Sequence, residues 1–147
     1  MQELTVFLLG QGRFYADGKQ VVLPFKQAEA LLYYLLLEKS AFRPKIADII
    51  WGDSQGEERI KSNMRNAIYV IRKAFGSDFL LRGQGNTIQI NPAIKINRDI
   101  DQLERDDVRC FDFYAGDFLE DFSLKDNEYY NEWLLNTRQY FRHEYQK

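Results

Sequence analysis

The sequence predicts an α+β fold: short strands open the chain, three helices and a β-hairpin follow, and a short all-α segment ends it. Three observations carry that prediction. Apolar runs punctuated by turn residues extend from Leu4 to Pro24. From Lys26 to Phe75, apolar residues recur at spacings of three and four. From Asp99 the texture becomes acidic and aromatic, and the last apolar positions again keep helical spacing. At 147 residues, 45% hydrophobic and 15% aromatic, the chain can bury a core as one ordinary domain or as a small domain with an appendage. The expected division is 1–98 and 99–147.

Leu4 to Leu9 is a strand-like apolar run, and Asp17-Gly18 stands between it and Val21 to Leu23 as a hairpin signal. Pro24 ends the strand region. In "KQAEALLYYLLLEKS", Ala28, Leu31, Leu32, Leu35 and Leu36 line one helical face, which marks a core helix. "RPKIADIIWGD" predicts a shorter helix with Pro44 in its first turn, Ile46, Ile49 and Ile50 inward, Trp51 packed beneath and Gly52 after its end. A third helix begins near Glu57 and Glu58, whose charge suits a helix N-terminus, and stops at Gly76. Its apolar residues Ile60, Met64, Ala67, Ile68, Ile71, Ala74 and Phe75 fall within an arc of roughly 120°. "DFLLRGQGNTIQI" reads as two strands around Gly83-Gln84-Gly85-Asn86. Near the end, Tyr130, Trp133, Leu134, Thr137, Tyr140, Phe141 and Tyr145 predict a helix still running at the last residue.

Charge is unevenly distributed. The chain has net charge −2 and a pI of about 5.5. Yet residues 1–98 hold 14 Lys/Arg against 9 Asp/Glu, and residues 99–147 hold 6 against 13. The positive charge peaks in the third helix, where Arg59, Lys61, Arg65, Arg72 and Lys73 occur with no acidic residue among them. Such asymmetry predicts a module for a polyanion joined to an acidic one.

A second and third helix joined by a short glycine-bearing turn and trailed by a hairpin make a winged helix-turn-helix. The face of the third helix opposite its apolar stripe carries Ser62, Arg65, Asn66, Tyr69 and Lys73, flanked by Arg59, Lys61 and Arg72. Arginine can bond guanine with two donors, asparagine can pair with adenine, and lysine and serine can hold phosphates. A charged solvent face is common, and Arg72 and Lys73 also suit the dipole at a helix C-terminus. That plainer explanation leaves Arg59 and Arg65 without acidic partners four residues away.

With these residues in place, the chain resembles the OmpR/PhoB-type winged helix of SARP-type bacterial transcriptional activators, followed by the start of a bacterial transcriptional activation domain. The resemblance runs through "LLGQGRFYADGKQVVLP", "KQAEALLYYLLLE", "IADIIWGD", "SNMRNAIYVIRKAFG", "GQGNTIQINP" and "YAGDFLEDF…EWLL". It implies that Ser62, Arg65, Asn66, Tyr69, Val70, Arg72 and Lys73 line DNA, with Arg82 a further contact from the wing. Val70 stands where many relatives carry a basic residue, and Asn86-Thr87 where related response regulators often show Tyr-Arg. The resemblance further implies binding to direct repeats of double-stranded DNA as a side-by-side pair of copies, and recruitment of RNA polymerase. Its activation domain is a longer, TPR-like helical array. The chain is expected to be a fragment of a longer regulator, with a truncated relative as the alternative. Tyr114, Gly116, Asp117, Phe118 and Leu119 match a recurrent turn of that family and are expected to pack the acidic segment onto the DNA-binding domain.

Other functions have less to draw on. One cysteine, Cys110, and one histidine, His143, leave little for a metal site or a nucleophilic pair, and a lone cysteine suits a reducing cytoplasm. No metal, cofactor or catalytic residue is expected. The N-terminus lacks a basic region and carries Glu3, unlike a signal peptide. The apolar run Ala30 to Leu37 is too short for a membrane span. A protein-interaction module, whose basic helix docks an acidic partner or the chain's own acidic segment, is the alternative to a DNA-binding regulator. An enzyme using Asp117, Glu120 and Asp121 is the third reading, against which a solvated acidic surface is the simpler account.

Overall fold

The opening apolar run becomes a strand because Leu4 and Val6 alternate inward while Glu3, Thr5 and Phe7 stay partly exposed. In the computed structural model, which describes residues 1–52, 56–101, 116–125 and 127–146, the elements run β1 (Glu3–Phe7), β2 (Arg13–Ala16), β3 (Lys19–Val21), α1 (Lys26–Glu38), β4 (Ser40–Phe42), α2 (Arg43–Trp51), α3 (Glu57–Phe75), β5 (Leu80–Gly83), β6 (Thr87–Ile90), β7 (Lys95–Arg98) and α4 (Glu128–Gln146). The predicted hairpin turn is present, but the strand before it differs from the expectation. Asp17-Gly18 joins β2 to β3, and β1 pairs with β2. Asp17 and Gly18 both take positive φ, 47° and 87°, the geometry a two-residue turn requires.

The chain divides into two units. The first comprises Met1–Val22, Lys95–Ser123 and Tyr130–Lys147. Its sheet has the order β3-β2-β1-β7, with β7 parallel to β1. Beyond β7, the Asp99 carboxylate accepts the N–H groups of Leu8 (2.9 Å) and Leu9 (3.0 Å) where β1 has ended. Burial pushes the Asp99 carboxyl above its ordinary range, and these backbone donors oppose the shift. The segment from Gly116 to Leu119 packs against the chain just beyond β1, within this first unit. Phe118 bridges Leu9, Gly10 N–H donates to the Asp117 carbonyl (2.8 Å), and Leu119 N–H donates to the Leu8 carbonyl (2.7 Å). Tyr114, assigned to the same turn, lies outside the described residues, as does Cys110. Phe118 stacks on Phe141 at 5.5 Å and meets Trp133 edge-on at 5.9 Å. From α4, Arg138 donates to the carbonyls of Phe118 (2.8 Å), Leu119 (2.6 Å) and Phe122 (2.7 Å), while Arg142 pairs with Asp117.

The second unit comprises Leu23–Ile94 and Leu124–Tyr129. All five core positions foreseen on α1 are buried, as are Ile46, Ile50 and Trp51 of α2 and Met64, Ala67, Ile68, Ile71 and Phe75 of α3. Ile60 and Ala74, expected in the same stripe, remain partly exposed. The sheet has the order β4-β6-β5. Asn127 Nδ2 donates to the Ile49 and Ile50 carbonyls at 2.6 and 2.9 Å, satisfying groups left open at the end of α2.

Gly76 ends α3 with φ 123° and ψ 150°, a conformation that essentially only glycine adopts. Its N–H closes on the Arg72 carbonyl and its own carbonyl accepts Phe79 N–H, so this residue redirects the chain from α3 toward β5. Gly76→Ala should lower the unfolding free energy by about 1–3 kcal/mol. Chemical denaturation would show it as an earlier midpoint with an unchanged slope.

Candidate nucleic-acid interface

The helix α3 is built to present two faces. Gly56 caps it, Glu57 and Glu58 occupy its first turn, and Arg72 and Lys73 its last, each charge matched to the helix dipole. Burial of the apolar stripe turns the opposite side outward. There Ser62, Arg65, Asn66, Tyr69 and Lys73 are exposed together, with exposed Arg59 and Lys61 on either flank. Glu57 does stand four residues before Lys61, yet the two form no ion pair. Within this unit Arg59, Lys61, Arg65 and Lys73 carry no ion pair with any described residue.

The remaining residues expected to meet DNA are placed differently. Val70 is partly buried at the margin of the exposed face. Arg72 is also partly buried, and its Nη2 donates to the Leu80 carbonyl at 2.9 Å, tying α3 to β5. Its Nε is buried without a hydrogen-bond partner. That guanidinium is therefore occupied as a strut in this structure. Arg82 lies exposed on β5, next to the turn that Gly85 (φ 67°) and Asn86 (φ 58°) make possible. Thr87 Oγ1 closes this turn by donating to the Gln84 carbonyl at 2.9 Å. The glycines here serve a tight hairpin.

The sequence reading missed Arg43. Strand β4 pairs Phe42 with Thr87, and Arg43 N–H donates to the Asn86 carbonyl at 2.9 Å, so the first residue of α2 sits beside the tip of the β5–β6 hairpin. Partial burial, and then the like charges of Arg82 and Arg72, push the Arg43 guanidinium below its ordinary range. Like charges held this close lower their repulsion when an anion arrives. Beside Arg43 an open groove of about 360 Å³ runs between α2, the first half of α3 and Asn86, lined by apolar Ala47, Ile60 and Met64, by the cations Lys61 and Arg65 and by the carboxylates Asp48 and Glu57. The sequence signal for this cluster was weak, because it depends on a strand pairing between segments more than forty residues apart.

The carboxylates considered for catalysis do not gather in such a groove: Asp117 pairs with Arg142, and Glu120 is exposed. No helix among the described residues is long and apolar enough to cross a membrane.

Together α2, α3 and the β5–β6 hairpin make the fold an α+β winged helix-turn-helix; the α2–α3 connection at 53–55 lies outside the described residues. The chain is similar in fold to Mycobacterium tuberculosis EmbR, solved in complex with a low affinity phosphopeptide. The TM-score is 0.71 at 13% sequence identity, over 98% of this chain and 44% of EmbR. At that identity the likeness shows the fold alone, and this chain spans less than half the length of the EmbR chain. No protein-family model matches the sequence, and no curated protein matches it.

Proposed function

We propose that this chain is a sequence-specific regulator of transcription that binds double-stranded DNA, with α3 in the major groove. One observation carries the reading: the outward face of α3 holds Arg65, Asn66, Ser62 and Lys73 exposed together, its cations unpaired, in a chain whose net charge is negative. Arg65 is assigned to guanine and Asn66 to adenine, while Ser62, Lys61, Lys73 and Arg59 hold phosphates. Arg82 and Arg43 meet the backbone from the wing side. Arg72 serves indirectly by fixing the wing strand to α3, and Val70 borders the contact. The SARP-type resemblance of the sequence and the fold shared with EmbR both favour a regulator. The SARP-type resemblance extends the proposal to an activator in the cytoplasm that occupies direct repeats as a homodimer and engages RNA polymerase. In this proposal residues 1–98 supply DNA binding and 99–147 open the activation domain.

Fluorescence anisotropy of a labelled random duplex tests the reading. Binding should weaken steeply with salt, log K falling against log salt with a slope of about −0.9 per phosphate neutralised, so that five phosphate contacts give a slope near −4.5. If the protein shows no salt-dependent binding even at low ionic strength, the DNA reading fails and an acidic protein partner becomes the candidate for the basic face.

A further inference from the structure

We propose that Tyr69 selects the DNA site by packing its ring against the 5-methyl group of a thymine. The inference rests on the reading of α3 as the helix that enters the major groove, and it gives a role to the aromatic part of that face, which contacts to phosphates and purines leave unexplained.

Tyr69 is 60% exposed, although aromatic side chains of its size normally bury most of their surface. Arg65 and Asn66 precede it by one turn and Lys73 follows by one, so polar neighbours surround the ring on the helix surface. Among the described residues it makes no ring contact and no hydrogen bond, in contrast to Phe75 of the same helix, which stacks on Phe79 at 5.0 Å. A flat apolar surface is thus held in solvent at the centre of a face otherwise fitted to charge and hydrogen bonding.

The base edges of the major groove offer mostly donors and acceptors. The exception is the thymine methyl group, which distinguishes thymine from cytosine and is read by apolar contact. Arg65 and Asn66 already match a guanine and an adenine, and Tyr69 adds the complementary apolar contact. One helical turn is about 5.4 Å and base pairs are about 3.4 Å apart, so the selected thymine falls within about two base pairs of those purines.

The test uses the full chain. A site is first selected from a random duplex library with wild type, and each thymine in it is then replaced singly by deoxyuridine, which removes only the methyl group. Affinities are measured for wild type, Tyr69→Phe and Tyr69→Ala, with circular dichroism as the check that the variants remain folded. Wild type and Tyr69→Phe should lose about fourfold at one thymine per repeat, the value of burying one methyl group. Tyr69→Ala should bind the unmodified site more weakly and be indifferent to that uracil. Indifference of wild type to every uracil overturns the proposal, as does a Tyr69→Ala protein that keeps the full uracil penalty. Failure of wild type to bind any duplex overturns the DNA reading along with it, whereas binding without uracil sensitivity overturns the Tyr69 assignment alone.

Discussion

Arg65→Glu should weaken duplex binding at least a hundredfold at low salt and leave thermal unfolding nearly unchanged. Loss of a bidentate contact to guanine is worth about 1–3 kcal/mol. A carboxylate facing phosphates adds repulsion, and about 2.8 kcal/mol in total already reaches a factor of one hundred. Stability should change by no more than about 0.5 kcal/mol, because Arg65 is exposed and joins no ion pair among the described residues. Anisotropy and a melting curve on the same preparation separate the readings. A folded protein that has lost DNA supports a recognition helix. If the variant instead keeps its DNA affinity, or loses stability along with it, the basic face is serving a different contact, and docking onto an acidic segment becomes the better explanation.

The second large effect is expected far from α3 in sequence. Arg138→Ala should destabilise the first unit by about 2–4 kcal/mol, read as an earlier denaturation midpoint. Three carbonyls, of Phe118, Leu119 and Phe122, accept from this one guanidinium. Hydrogen bonds to a charged group contribute about 1.5–3 kcal/mol each when buried, and partial exposure here lets water recover part of the loss. Leu119 also holds φ 47°, a left-handed conformation unfavourable for leucine that persists only where its surroundings enforce it. Arg138→Lys should rescue little, because an ammonium cannot spread three donors over carbonyls in this arrangement. A variant with wild-type stability would show that the turn at Asp117–Phe122 is held without the Arg138 bonds.

Much of the fold was legible because its signals are local. α1, α2 and α3 announced themselves by spacing, and the wing hairpin by its glycine-rich turn. The turn at Asp17-Gly18 was also correctly located, but its strand partner was not. Arg13–Ala16 is a run of only four residues, and it becomes a strand by pairing with β1 on one side and β3 on the other. The two strands with no local signal, β4 and β7, have the same origin. Each is short, and each exists through a partner distant in sequence, β6 and β1 respectively.

The candidate interface divides along the same line. Ser62, Arg65, Asn66, Tyr69 and Lys73 could be picked from the sequence because a helix repeats every 3.6 residues, so burying one stripe exposes the other. Arg43 could not, since its position follows from the pairing of Phe42 with Thr87. Nor could the engagement of Arg72, whose spacing matches the exposed residues but whose guanidinium reaches the Leu80 carbonyl. The sequence by itself determined the helices, their buried stripes and the basic face of α3, because periodicity and turn chemistry act over a few residues. Only the tertiary structure decided which strands pair, which arginines stay free for a ligand and which become struts, because those outcomes depend on groups brought together across long stretches of chain.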